Sequence, residues 1–405
     1  MKTQSGKKQN LLIFACWLIY VASYVSRYSY NANIVAIKDY YQVSNSVTGL
    51  IGTFFFFAYG VGQIVNGILC KKYNKKYFLS FPLILSSAIN FYVFTRPPIA
   101  VYKYLWLING ICLSVLWSLL MLTLSENLDE KHITSAMVIM SSTVAAGTVL
   151  AYGGSSLFNL IADFRYSFLF GGIVSLVVGV LWWFVCDQLT VRKKIAVEQK
   201  KEGSAKPGFM VLTMIILFGF FMVIDNLVKD GLNTWMPQIL KDTYRFGDSL
   251  SIILTLVLPL LGLFGAMFVV LLNKIVKDDI LLNCLLFAAA GLCTLGVTLL
   301  LKTDHYALII LLFGGISLLM HAINNFITTY MPLKLRGAFN SGLLAGILNG
   351  CGYAGSTVSA YCLGAVADNG NWGSVFVLLT AICFSGVVLS FLYGILKKAR
   401  KNSGR

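Results

Sequence analysis

Apolar stretches recur from one end of this chain to the other, separated by short polar segments. Each holds about 20 residues or more, enough to cross a ~30 Å hydrocarbon layer as a helix. Twelve such runs are legible, at 11–35, 46–70, 77–95, 101–125, 133–161, 164–187, 208–230, 249–273, 279–301, 305–331, 338–364 and 373–396. The pattern predicts an all-α membrane protein with twelve transmembrane helices. The first run is too long for a cleaved signal peptide and lacks a small-residue cleavage pattern, so it is expected to remain as the first helix.

The longest polar interruption falls at 190–207 and carries Arg192, Lys193, Lys194, Lys200 and Lys201. It divides the runs six and six. The expected organisation is an N-terminal six-helix bundle at 1–189, a cytoplasmic linker at 190–207 and a C-terminal six-helix bundle at 208–405.

Composition sharpens the picture. The chain is 58% hydrophobic and 12% charged, where a soluble domain carries about 25% charged residues. A net charge of +16 raises the question of a nucleic-acid partner. The placement of the charges answers it, because twenty-three of the 32 Lys and Arg fall on one side of the predicted topology and seven on the other. Under the positive-inside rule this puts both termini in the cytoplasm and makes the basicity a topology signal, with no nucleic acid implied. The expected setting is a lipid bilayer, the inner or plasma membrane of a bacterium, with the chain acting as a monomer.

Nine cysteines are scattered without a C-x-x-C pair or a histidine at metal spacing, so no metal or cofactor is expected. The acidic residues Glu126, Asp129 and Glu130 sit in a predicted loop, and no G-x-x-x-x-G-K phosphate loop is present to drive transport with ATP. The reading is a non-enzyme, and transport should be secondary.

Two cations lie inside the runs. Arg27 is ~24 Å along the first predicted helix from its apolar start, and Lys229 falls near the end of the seventh. A buried ionisable group is costly in hydrocarbon and needs a reason. Tyr20, Tyr24, Arg27 and Asn31 follow i, i+4, i+7, i+11 and share one helix face. That face suits an anion, because the planar donor fork of arginine matches carboxylate or phosphate oxygens. The competing reading is a structural ion pair, although no acid lies well inside a span of the first half. Asp225, one turn before Lys229, is placed to pair with it. His321, Asn324, Asn325 and Thr328 form a polar stripe on the tenth run, and Asn349, Tyr353 and Ser356 form one on the eleventh. Both stripes are expected to line a cavity, and hydrogen bonding between helices is the alternative for each. His321 is read as a hydrogen-bonding side chain first and a proton relay second.

Several short segments resemble known transporters. Twelve helices in two pseudo-symmetric halves joined by a charged linker are the layout of the major facilitator fold, and Gly67 to Lys76 resembles that superfamily's G-x-x-x-D-R-x-G-R-R loop, with Lys71 for the acid and Asn74 for the second glycine. Tyr20-x-x-x-Tyr24-x-x-Arg27-x-x-Tyr30 resembles the helix-one motif of the organophosphate:phosphate antiporters, typified by glycerol-3-phosphate and hexose-phosphate transporters. Lys229 to Pro237, with Gly231 and Trp235, is similar to that family's helix-seven segment, lysine standing for arginine. Ala58-Tyr59-Gly60 and Gly352-Tyr353-x-Gly355 match its tyrosine segments in helices two and eleven.

The resemblance implies an antiporter of a small organic anion, a sugar phosphate or glycerol phosphate exchanged for inorganic phosphate by alternating access. Arg27 and Lys229 would grip one anion, Tyr20, Tyr24, Tyr59, Gln63 and Tyr353 would bind or line it, and Trp235 would pack nearby with Asn31, Asn324, Asn325 and Asn349 lining the cavity. Apart from the resemblance, Asp225 and His321 are candidate coupling or charge-pairing residues. Departures are Gln63 in place of a lysine, Val144 in place of a histidine, an apolar stretch around Val257 where an acid is expected, and the added Asp225. They keep a proton-coupled symporter of organic acids as an alternative. Members of that related family carry an acid before the helix-one arginine, where this chain has Ser26. A sensor of sugar phosphate that does not transport is the alternative of another class.

Overall fold

The computed structural model describes residues 6–190, 209–335 and 341–403. Most of the expected linker at 190–207, with its lysines and arginines, lies outside the described residues. Those that are described form helices joined by short turns, with no strand among them. In chain order the long helices are α1 (Gly6–Ala32), α2 (Asn45–Leu69), α3 (Lys75–Phe94), α4 (Ile99–Asn127), α5 (Ser135–Ile161), α6 (Arg165–Leu189), α7 (Phe209–Tyr244), α8 (Asp248–Ile275), α9 (Asp279–Leu300), α10 (Tyr306–Tyr330), α11 (Ser341–Asn369) and α12 (Trp372–Ser403). Eleven of them are long and apolar enough to cross a membrane, α11 being the exception among the described residues. The outer surfaces are apolar, with Phe57, Ile68, Leu160, Phe184, Leu299 and Phe391 all more than half exposed. Water does not tolerate such a surface over a whole protein, whereas lipid does.

The residues cluster into two compact units: Met1–Val43, Leu50–Glu198 and Phe246–Leu256 in one, and Ser44–Gly49, Gln199–Arg245 and Val257–Arg405 in the other. Within the first, α1 packs on α5 and α6, and α3 on α6 and α4. Within the second, the same order recurs six helices later: α7 packs on α11 and α12, and α9 on α12 and α10. Close approach at the two equivalent crossings depends on glycine. A Cβ at Gly147 of α5 would lie 2.3 Å from the Tyr24 Cβ, and one at Gly355 of α11 would lie 2.1 Å from the Val223 carbonyl oxygen.

The seventh helix departs from the sequence reading. The run expected to end at 230 continues as helix to Tyr244, through Pro237. Polar residues after Asp230 look like an interface in the sequence, but Asp230, Thr234 and Gln238 are buried by neighbouring helices. Lys229 consequently sits at mid-helix and not near an end. Helix ten also differs, because its last turn, Phe326–Tyr330, widens to π geometry.

The loop after α2 shows why its departures are tolerated. Asn74, standing for a glycine, caps α3 by accepting from the Lys76 backbone N–H at 2.9 Å. Lys75 pairs with Glu126 at the end of α4, and Lys76 with Asp187 of α6 at 2.6 Å. Asp129 accepts from the His132 backbone and pairs with its ring, which holds its carboxyl below the usual range. Glu126 and Asp129 are thus tied into the helix ends. The side chain of Glu130 lies outside the described residues.

The glycine crossings carry a direct expectation. Gly355→Ala should force the α7 and α11 backbones apart and cost about 1–3 kcal/mol, read as a lower melting temperature in detergent. Gly346→Ala on the same helix, where nothing lies within 4 Å, should melt like the parent.

Candidate functional site

On α1 a four-residue step stacks Tyr20, Tyr24 and Tyr28 edge to face, with ring centroids 5.3 and 5.2 Å apart. Arg27 lies beside this ladder and is 5% exposed. Its guanidinium carbon is 3.8 Å from the centre of the Tyr24 ring, 5.0 Å from Tyr28, 5.2 Å from Tyr59 and 5.7 Å from Phe55. Four ring faces around one cation attract it by their quadrupoles, each by about 0.5–2 kcal/mol. Arg27 and Asn31 also line a small hollow of about 10 Å³ together with Tyr28, Gly52, Phe55, Phe56 and Trp106. Gly52 leaves the space, the aromatic residues wall it, and Arg27 and Asn31 supply its polar groups.

Other sequence candidates in this half fall nearby. Tyr59 is buried, stacks on Phe55 at 5.6 Å and brings its hydroxyl to 3.5 Å from that of Tyr20. One turn on, the Gln63 amide donates to the Ser114 carbonyl at 2.9 Å and so ties α2 to α4. Tyr30, the last tyrosine of the helix-one motif, turns away and packs on Trp106 at 5.1 Å. Ser26 interlocks helices: its hydroxyl meets that of Ser86 at 2.5 Å and accepts from Asn90 at 2.7 Å, and Ser86 donates to Asn109.

In the second half, α7 places Asp225, Asn226, Lys229 and Asp230 at i, i+1, i+4 and i+5, a single face of the helix. The Lys229 ammonium donates to the Asn226 side-chain carbonyl at 2.6 Å and lies 3.8 Å from Asp225 Oδ2. From α10, the Asn324 amide donates to Asp225 Oδ2 at 2.8 Å and to Asn226 at 3.1 Å. From α11, the Ser356 hydroxyl donates to Asp230 Oδ2 at 2.5 Å. Lys229, Asp225 and Asn324 therefore meet in one buried polar network.

Other candidates of this half lie on α10, α11 and α7. The Asn325 amide donates to the His321 carbonyl of its own helix at 2.8 Å, and Thr328 does likewise to Asn324. His321 donates from Nδ1 to the Ser317 carbonyl at 2.8 Å, and its ring fills the space left by Gly262 and Gly265 of α8. Tyr353 and Asn349 are half-buried on α11. Trp235 is buried, its ring 5.7 Å from that of Trp372 and close to Gly364.

Sequence reasoning missed Tyr28, Phe55, Phe56, Trp106, Asn226 and Asp230. Tyr28 continues the spacing of Tyr20 and Tyr24, and Asn226 and Asp230 neighbour named residues, so these were open to a fuller reading of helix faces. Phe55 and Phe56 belong to a run of four phenylalanines, Phe54 to Phe57, that looks like lipid-facing surface in sequence.

Comparison with known proteins bears on what this arrangement serves. Residues 16–341 match the Major Facilitator Superfamily. "Membrane sensor protein UhpC" of Escherichia coli is 22% identical over 91% of this chain and 88% of that protein. "Sugar phosphate exchanger 3" of Gallus gallus is 20% identical over 84% and 77% respectively. These relatives are consistent with the resemblance to the organophosphate:phosphate antiporters. A solved bacterial homolog of the human lysosomal transporter Spinster, inward-facing and occupied, superposes with a TM-score of 0.77 at 14% identity, covering 96% of this chain and 97% of that one. At that identity the likeness speaks to the fold. With a match across most of its length and an all-helical, membrane-suited architecture, the chain belongs to the Major Facilitator Superfamily.

Proposed function

We propose that this protein is a secondary transporter of a small organic anion, in first place a phosphate ester exchanged for inorganic phosphate by alternating access. The observation that carries the reading is Arg27, a guanidinium buried within α1, ringed by four aromatic faces and opening with Asn31 on a small hollow. Burying a charge costs several kcal/mol. The ring faces offset part of that, and an anion entering the hollow offsets more, through charge-assisted hydrogen bonds to the fork. The hollow is about 10 Å³ as it stands, room for about one water, so it must widen before a phosphate group can reach the fork. The name of the Gallus gallus relative, a sugar phosphate exchanger, supports this substrate class.

In this reading Arg27 holds the phosphate, Tyr24, Tyr28 and Tyr59 hold Arg27, and the Gln63 amide steadies α2 beside Tyr59. Lys229 is the cation of the second half in the same transport cycle, with Tyr353, Asn324 and Asn349 lining its side. The moving bodies are the halves 1–189 and 208–405, linked by 190–207. Both termini face the cytoplasm of a bacterial inner membrane, and the working unit is a monomer without cofactor.

A second reading has one specific support, the Escherichia coli relative named as a membrane sensor. A sensor binds the anion without moving it. Proteoliposomes loaded with phosphate separate the two, because counterflow of labelled glucose 6-phosphate or glycerol 3-phosphate marks a carrier, and saturable binding with no flux marks a sensor.

Two substitutions test the site. Arg27→Gln, which keeps a polar amide on a shorter side chain and removes the charge, should lower uptake per inserted molecule by about 10–100-fold, as expected for a lost charged hydrogen bond of about 1.5–3 kcal/mol, with an unchanged elution profile on gel filtration. Tyr24→Leu removes the nearest ring face and should weaken apparent affinity by about 2–30-fold, as a cation–π contact of ~0.5–2 kcal/mol requires, measured as KM in the same counterflow assay.

A further inference from the structure

Anion binding alone does not account for the charges buried on α7. Asp225 and Asp230 are two carboxylates beside one ammonium, that of Lys229. Asp225 is 0% exposed and Asp230 8%. Lys229 gives its close hydrogen bond to Asn226, and its distance to Asp225 Oδ2 is 3.8 Å. Asp225 Oδ2 accepts from Asn324 and Asp230 Oδ2 accepts from Ser356. Asp225 Oδ1 is buried and has no hydrogen-bond partner among the described residues.

Among the described residues, the helices packed on α7 bring no second permanent cation within bonding distance of Asp225 or Asp230. From α10, His321 lies within electrostatic reach of Lys229 and Asp230, and its Nδ1 proton is given to the Ser317 carbonyl. From α12, the thiol of Cys383 lies within reach of Asp225. α11 carries Ser356 against Asp230, with Tyr353 and Cys351 on the same stretch. With both carboxylates ionised the set bears a net charge of −1 inside hydrocarbon, which is unfavourable. One proton brings it to zero. Asp225 Oδ1 is the buried oxygen with no donor aimed at it, so it has a place for that proton.

We infer that Asp225 is a proton-binding site of the transport cycle. Its carboxylate takes a proton from one side of the membrane to become a carboxylic acid and returns it on the other, with no other bond made or broken. Protonation removes a negative charge next to Lys229 and makes that half more receptive to an anion. By reciprocity, an anion near Lys229 favours the proton by the same factor. Substrate and proton then travel together, and the ligand class of this site is a proton. The coupling rests on the transporter reading above, whereas the binding site itself can be observed without any transport.

The test is infrared difference spectroscopy of the purified protein in liposomes as pH is lowered through the physiological range. A carboxylic-acid C=O band should grow in the parent, vanish in Asp225→Asn, move in frequency in Asp225→Glu and persist in Asp230→Asn. A parent protein without a pH-dependent band that Asp225→Asn removes would overturn the inference, whether or not any anion is carried. A second arm uses labelled inorganic phosphate and an imposed pH gradient. Accumulation in the parent should fall by about tenfold or more when a protonophore collapses the gradient, within the usual range of coupling between linked sites. Accumulation indifferent to the gradient would overturn the coupling while leaving a carrier in place. Absence of phosphate movement in every assay would count against phosphate transport, and the infrared result alone would then decide the proton site.

Discussion

A charge held inside hydrocarbon has to be answered by its surroundings, and each half of this protein surrounds one buried cation with its own set of neighbours. Around Arg27 the response is soft: ring faces of Tyr24, Tyr28, Tyr59 and Phe55 surround the guanidinium. Around Lys229 the response is ionic and polar, with Asp225 and Asn226 in direct reach, Asn324 donating to both of those, and Asp230 on the same face. There the cation is more than balanced before any substrate arrives.

The packing places these groups. In the first half, Gly147 lets α5 come against α1 at Tyr24, the residue whose ring lies nearest Arg27. In the second, Gly355 lets α11 come against α7 at Val223, close to Asp225 in sequence. The serine and asparagine network of Ser26, Ser86, Asn90 and Asn109 binds α1 to α3 and α4 on another side of α1. Position 26 thus serves helix packing in a place where related organic-acid carriers have an acid. The widened turn at Phe326–Tyr330 begins two residues after Asn324, which reaches across to Asp225, and π turns of this kind often accompany functional positions.

Much of this was legible in the sequence because hydrophobic length and helical spacing are local properties. The helix runs and the shared face of Tyr20, Tyr24, Arg27 and Asn31 follow from counting residues. The end of α7 did not, because the polar residues from Asp230 onward are buried by α10, α11 and α12, and only tertiary packing distinguishes that from exposure to water. The walls of the Arg27 hollow were hidden for a related reason. Phe55 and Phe56 face inward and Phe57 outward, but hydrophobicity cannot tell a phenylalanine that faces lipid from one that faces a guanidinium. Asp230 lies inside the segment Lys229 to Pro237, and only the fold shows that its carboxylate is buried against Ser356 of α11.

The central claim is that the Arg27 guanidinium is the anchor for the anion's phosphate. The most direct measurement is an experimental structure of the protein saturated with a phosphate ester. The account requires density for the phosphate within hydrogen-bonding distance of the Arg27 guanidinium, in the hollow shared with Asn31 and Trp106. A phosphate bound elsewhere, with Arg27 still enclosed by its rings and touching no anion, would contradict it.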